Sequence, residues 1–339
     1  MKAIKIYKNK IEYTDIHEPK VDEKFNVLVR VMSVGLCGSD VQRIDFINSN
    51  NQEINHPVLG HEISGIIEEI KGEQATFKVG DRVAIEPIIY CNSCKYCTEG
   101  NFQFCENIIA LGKTINGGFA QKVVVPIENI HKLQDDIDFD TGTLLDLCSV
   151  CVHIHNLAGD FSGKNIAIIG DGAVGLMTAT FVEIYGGKAI IIGKRKNGGY
   201  NFVNFEDVRK LKEIESTFDI VIETVGRKNL TSLNQAISLS KIKGKIVVAG
   251  VFAPEFMLPI TARTLFYKEI TLVGANSYSY DHNKSRSETL YAIEILNKHY
   301  KKLSNLITHK YPLQKFEDGL NAFRNKDTSH AIKIVFNPS

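Results

Sequence analysis

The chain has 339 residues, 44% hydrophobic and 23% charged, with a formal net charge of +1, which suits a globular protein of two domains. The near-neutral balance gives no electrostatic reason to expect nucleic acid or a membrane as partner, and no stretch approaches the ~18 apolar residues of a membrane span. The opening MKAIKIYK alternates apolar and charged residues like a strand and lacks the apolar core of a signal peptide. The expected compartment is therefore the cytoplasm, where free thiols persist.

Up to about residue 125 the pattern is one of short strands broken by turns. Residues 25–32, 63–70 and 81–85 carry β-branched side chains, and Gly35, Gly60, Gly72 and Gly80 punctuate them. This predicts an irregular, mostly β lobe. Within it lie GLCGSD at 35–40 and GHE at 60–62. Cys37 and His61, each in a glycine-flanked turn, suit an open metal site. The two motifs alone are equally compatible with a buried structural cysteine and a surface histidine.

The stretch 91–105 holds Cys91, Cys94, Cys97 and Cys105 at C-x2-C-x2-C-x7-C spacing. Tetrahedral zinc needs four ligands at about 2.3 Å, and short cysteine spacings wrap a loop around one ion. A closed structural zinc site is the reading. The alternative, a pair of disulfides, is awkward to close in so tight a knot, and nothing else in the chain looks secreted.

After Pro126 the character changes. Residues 141–157 have the length and apolar content of a buried helix, and they lead into an apolar strand that runs into GDGAVG at 170–175. A strand, then G-x-G-x-x-G, then a helix is the context of a dinucleotide-binding fingerprint rather than an ordinary strand-to-helix turn. Further strands are read at 189–192, 219–226 and 244–250, separated by helical stretches, which makes a parallel doubly wound sheet. Between Lys194 and Phe218 a Gly-Gly turn and a short aromatic strand replace the usual crossover helix, so the adenosine side of the site should be flatter and more open. The rest offers a strand at 269–274, helical periods at 287–296 and 313–323, and a closing strand at 331–336. The last sixty or so residues are expected to return to the first lobe and close it.

Taken together, GLCGSD, GHE, the four-cysteine run, VGDRV at 79–83, GGFA at 117–120, GDGAVG and VIETVG at 221–226 resemble the zinc-dependent medium-chain alcohol dehydrogenases, end to end and in the family's order. The likeness is greatest to the sorbitol and galactitol-phosphate dehydrogenase branch, through CGSDVQRI at 37–44 and LGHEISG at 59–65. The resemblance implies an α/β protein in which a GroES-like β-rich catalytic domain (1–153 and 275–339) is interrupted by a doubly wound Rossmann domain (154–274). It also implies two zinc ions per chain, one catalytic and one structural, hydride transfer between the domains, and a homodimer or homotetramer.

Carried over residue by residue, Cys37 and His61 match the first two catalytic zinc ligands, Glu62 the acidic residue close to the metal, and Ser39 the hydroxyl of the proton relay. Asp146 falls where the third ligand, normally Cys or Glu, is expected. Asp is one methylene shorter than Glu, so Cys148 competes with it, and whether Asp146 or Glu62 ligates stays open. Gly170, Gly172, Ala173, Val174, Gly175, Thr224, Val225 and Gly250 are the expected cofactor contacts. Arg43 and Lys113 fall in segments that line the substrate cleft in the family and would favour a phosphorylated sugar or polyol, although either could be a solvated surface charge. Specificity is placed in the loops 46–56 and 278–287.

Cofactor choice has a sharper signal. NAD enzymes place an acidic residue at the end of the second Rossmann strand, where it accepts from the ribose 2′-hydroxyl. Here that position is Lys194, followed by Arg195 and Lys196, so the sequence predicts NADP(H) over NAD(H), with Lys194 the leading contact and Arg195 next. The expected activity is hydride transfer between NADP(H) and a secondary alcohol or ketone of a polyol, sugar or sugar phosphate. The alternatives are an NAD(H)-dependent dehydrogenase of an amino alcohol or aminocyclitol, and a catalytically inactive zinc-binding relative. A nucleic-acid-binding zinc ribbon is disfavoured, because no Arg-rich or aromatic stripe surrounds 91–105.

Overall fold

The computed structural model describes residues 1–7, 10–50, 57–72, 75–281 and 286–338. Residues 51–56 and 282–285, which belong to the two loops assigned to specificity, lie outside the described residues. The chain divides into two compact units, Met1–Cys148 with Ser279–Ser339, and Ser149–Tyr278. No described helix is long and apolar enough to cross a membrane.

The first unit is built on a sheet in the order Ile307–Pro312, Lys333–Asn337, Val27–Leu36, Glu62–Ile70, Arg82–Ile85 and Ile130–Lys132. Lys122–Val125 pairs with the first half of Val27–Leu36, and an N-terminal hairpin joins Lys2–Tyr7 to Lys10–Asp15. Only the pair Ile307–Pro312 with Lys333–Asn337 is parallel. Val27–Leu36 is buried along almost its whole length, so both of its faces are covered.

The C-terminal segment completes this core. The helix Phe316–Arg324 and the strand Lys333–Asn337 bring Phe316 and Phe336 onto Phe119, with ring centroids 4.8 and 5.7 Å from it. Each of these rings is fully buried, and a buried Phe contributes about 1.5–3 kcal/mol. The helix predicted over 141–157 is broken in two. A short turn Phe139–Gly142 is capped by Asp138, whose side chain accepts from the Thr141 N–H, and a second helix runs over Leu145–Ala158.

The second unit holds six parallel strands in the order Asn201–Asn204, Lys188–Gly193, Asn165–Ile169, Phe218–Glu223, Ser240–Val248 and Thr271–Gly274. In chain order this is 3-2-1-4-5-6, the Rossmann arrangement, whose ligand crevice lies at the carboxyl ends of the strands where the order reverses. The connection between the second and third strands is short, as the Gly-Gly turn implied. Residues 194–200 carry no helix, and Tyr200 is tied to the helix Ala173–Ile184 by a 2.6 Å hydrogen bond between its hydroxyl and that of Thr180.

Candidate metal centres and dinucleotide turn

Cys91, Cys94, Cys97 and Cys105 converge so that their Sγ atoms all lie within 4.8 Å of one another. All are free thiols, and the Cys91–Cys97 sulfurs are 3.9 Å apart. A sulfur tetrahedron with zinc–sulfur distances of about 2.3 Å has edges of about 3.8 Å, so the cluster fits that ion and not a disulfide. Backbone N–H groups support thiolates here: Cys94 N–H donates to Cys91 Sγ and Cys91 N–H to Cys105 Sγ, both at 3.4 Å. Backbone hydrogen bonds from Ser93 and Cys94 lower the Cys91 thiol to about 5, whereas burial pushes Cys97 up to about 12. The loop is anchored by Phe102, whose ring stacks on Tyr90 at 5.0 Å and whose N–H donates to Ser279 Oγ.

The second cluster lies at one end of the main sheet. Val27–Leu36 delivers Cys37 at its end, and His61 stands immediately before Glu62–Ile70, the strand paired antiparallel to it. Ligand atoms of Cys37, His61 and Glu62 lie within 4.8 Å of one another. Asp146, in the first turn of Leu145–Ala158, places Oδ2 4.0 Å from His61 Nε2. Cys148 is fully buried and is not part of this group. Ser39 is exposed in the first turn of the helix Gly38–Asn50. A thiolate, an imidazole and carboxylates suit zinc with a position left for a small ligand.

Asp40 organises the cluster. Only 3% exposed, it accepts from Cys37 N–H at 3.0 Å, from Gly60 N–H at 3.3 Å and from His61 Nδ1 at 3.3 Å. With Nδ1 turned to the Asp40 carboxylate, Nε2 is the ring nitrogen left to face a metal, which would displace any proton it carries. Burial opposes charge on His61, but the carboxylate of Asp40 and the neighbouring Cys37 hold its pKa well above the ordinary value. Arg43 lies along the same helix with its guanidinium 5.8 Å from the Phe46 ring, and Lys113 is exposed in the turn after Ile109–Ala110.

In the second unit, Asn165–Ile169 runs into Gly170, whose φ is +121°, and Gly172 precedes the helix that opens with Ala173 and Val174. A side chain at Gly175 would collide with the Gly170 carbonyl oxygen, so the third glycine is needed for helix and strand to pack. Thr224 bonds Ile169 O through both its N–H and its hydroxyl, each at 2.9 Å. The buried Glu223 carboxylate accepts from Val225 and Gly226 N–H at 2.9 Å, and its carbonyl accepts from Gly250 N–H at 3.0 Å. Gly170, Gly172, Thr224, Val225 and Gly250 thus gather at the carboxyl ends of neighbouring strands, beside a helix N-terminus able to receive a pyrophosphate.

At the end of Lys188–Gly193 the structure corrects one sequence-based premise. No acidic residue follows that strand, yet a carboxylate stands there, reaching across from Asp171 in the glycine turn. Its oxygens accept from Lys194 N–H at 2.8 Å and Arg195 N–H at 2.6 Å, and pair with Arg195 Nη2 at 2.7 Å. Burial works against the Asp171 charge, but the Arg195 side chain and backbone bonds more than offset it and hold its pKa below the usual range. Lys194 is exposed, with Nζ 5.6 Å from the Phe205 ring centroid.

Residues 23–135 match the alcohol dehydrogenase GroES-like domain. The chain is similar to a sorbitol dehydrogenase of Halalkalibacterium halodurans, 30% identical over 93% of this chain and 92% of that one. It is also 29% identical to an L-idonate 5-dehydrogenase of Vitis vinifera, over 92% of this chain and 88% of the other. The chain belongs to the zinc-dependent medium-chain alcohol dehydrogenase family. Its fold superimposes on galactitol-1-phosphate dehydrogenase from Escherichia coli with a TM-score of 0.85, at 24% identity and over 100% of each chain.

For this zinc-dependent dehydrogenase, sequence reasoning missed Asp40, Asp171 and Lys333. The signal for Lys333 was a lone lysine in the apolar strand AIKIVF. Pairing of Lys333–Asn337 with Val27–Leu36 sets it beside the Cys37 cluster, where its ammonium pairs with Glu62 at 3% and 2% side-chain exposure. Burial opposes the lysine's charge, but Glu62, Cys37 and Asp146 raise its pKa overall. Lys333→Met is expected to cost about 3–5 kcal/mol of folding stability, because Glu62 is left charged and buried without compensation. Adding Glu62→Gln should recover most of that loss, which urea unfolding of the zinc-depleted proteins would measure.

Proposed function

We propose that this dehydrogenase transfers a hydride between NADP(H) and a secondary alcohol or ketone of a polyol, sugar or sugar phosphate, with Cys37, His61 and Asp146 holding a catalytic zinc. The observation that carries the reading is the Cys37–His61 pair beside two carboxylates, with His61 Nδ1 held 3.3 Å from Asp40 Oδ1. Glu62 is engaged by Lys333, and Asp146 approaches His61 from the Nε2 side, so Asp146 is the better third ligand. Zinc bound there supplies a Lewis acid for the substrate oxygen, and the nicotinamide supplies or accepts the hydride. In this reading Ser39, exposed and two residues after Cys37, passes a proton to solvent. Cys91, Cys94, Cys97 and Cys105 hold the second, structural zinc.

The polyol reading draws on the sorbitol and idonate dehydrogenases to which the chain is similar. Arg43 and Lys113 favour a phosphorylated substrate. NADP(H) preference rests on the exposed cations Lys194 and Lys196 at the end of the second strand. Homo-oligomerisation is supported by the edge strand Thr271–Gly274, where Leu272 and the nearby Phe266 and Tyr267 are exposed. Free thiols and thiolate-bound zinc favour a cytoplasmic setting.

A panel of polyols, their phosphates and the matching ketoses, assayed with NADPH and NADH alongside zinc analysis, tests the reading. Turnover of at least one polyol or ketose, phosphorylated forms preferred, with near two zinc per chain is the expected result. Turnover that survives removal of the catalytic zinc from Cys37, His61 and Asp146 would sink it, and equal efficiency on free and phosphorylated substrates would remove the roles given to Arg43 and Lys113.

A further inference from the structure

The basic run Lys194-Arg195-Lys196 is not three equivalent charges. Gly193 ends the second strand, and a Cβ there would come within 2.7 Å of Asp171 Cβ and 2.9 Å of Oδ2, so the missing side chain is what admits the Asp171 carboxylate. That carboxylate is only 8% exposed and is nearly filled as an acceptor. Oδ2 takes the N–H groups of Lys194 and Arg195, and Oδ1 takes Arg195 Nη2, while Arg195 Nε lies 3.5 Å from Oδ2. The guanidinium is therefore committed side-on to one carboxylate. Lys194 has no carboxylate partner among the described residues.

We infer that Asp171 is a specificity-determining residue of the cofactor site, which neutralises Arg195 and leaves Lys194 as the cation that reads the 2′-phosphate of NADPH. The inference rests on the dinucleotide-site reading proposed above and deepens it. An incoming phosphate dianion meets a net-neutral Asp171–Arg195 pair and the ammonium of Lys194 at the end of the strand, with the exposed Lys196 two residues further along. Removing Arg195 then does more than delete a cation, because it exposes the Asp171 charge at the place where NAD enzymes carry their selective acid. Arg195 serves to mask that acid.

The test is a set of equilibrium titrations of the whole protein with NADPH and with NADH, followed by nicotinamide fluorescence, so that no turnover is needed. Arg195→Gln is expected to lower the NADPH-to-NADH affinity ratio about tenfold, as an unopposed charge nearby would. Asp171→Asn should raise the ratio. The double change Asp171→Asn with Arg195→Gln should return it to within about threefold of the unmodified protein, and Lys194→Gln should lower it about tenfold. NADH binding reports that each variant is folded. A double variant as poor as Arg195→Gln alone would make the guanidinium a direct phosphate contact and overturn the inference, as would an unchanged ratio in Lys194→Gln. If the unmodified protein binds neither cofactor, the dinucleotide-site reading itself falls.

Discussion

Replacing Cys37 by serine or His61 by alanine is expected to abolish turnover while leaving the protein folded. Both side chains sit at the end of the main sheet of their unit, in turns rather than in the packed interior, and neither belongs to its apolar core. Losing either leaves the remaining donors too few to hold zinc at catalytic concentrations. The Lewis-acid contribution is several kcal/mol, and each ~1.4 kcal/mol is tenfold in rate, so the expected loss is roughly a thousandfold or more. Zinc content should fall from near two to near one per chain, with the thermal midpoint changed by only a few degrees. A Cys37→Ser protein with near-normal activity would refute the zinc mechanism.

Cys94→Ser should give the same zinc count and the opposite phenotype. The loop 91–105 has little regular structure, only the short helix Lys95–Thr98 and a single turn at Phe102–Phe104, and two of its four thiols are not buried. Such a loop cannot hold itself by apolar burial, so most of its order must come from the ion, whose binding is worth about 10–16 kcal/mol in isolated zinc-finger peptides. Loss of even part of that should lower the melting midpoint by about 10 °C or more. Calorimetry with zinc analysis separates the two variants: one zinc and a stable fold for Cys37→Ser, one zinc and a weakened fold for Cys94→Ser. An unchanged midpoint in Cys94→Ser would mean that the cysteine cluster does not carry structural zinc.

The features legible in the sequence were those whose parts lie close together along it. The four cysteines fall within one loop, the glycine motif within six residues, and the buried parallel strands are unbroken apolar runs. Cys37 and His61 were singled out by their glycine-flanked turns, but only resemblance chose a metal site over a buried cysteine and a surface histidine, because two ends of paired strands carry no joint signal in the sequence. Three features were not read at all, each for the same reason. Asp40 acts by facing a turn twenty residues on, and Lys333 acts through a strand pairing that joins it to the Cys37 end of Val27–Leu36. Asp171 acts because the parallel register that sets Ile169 beside Ile192 brings the glycine turn level with the end of the next strand. Reading Lys194 as the leading contact and Arg195 as the next therefore overlooked the carboxylate partner of Arg195.

The discontinuity of the first unit bears on how the protein is made. Glu62 leaves the ribosome long before its counter-ion, since all of Ser149–Tyr278 is synthesised between the two segments that share its core. During that interval Phe119 has neither Phe316 nor Phe336 to cover it. The Rossmann unit, being continuous, can fold as it emerges, whereas the lobe carrying Cys37 and His61 must wait with an uncovered apolar surface and an unpaired carboxylate. Chaperone engagement during synthesis should therefore concentrate on residues 1–148 and end once residues 316–336 have emerged.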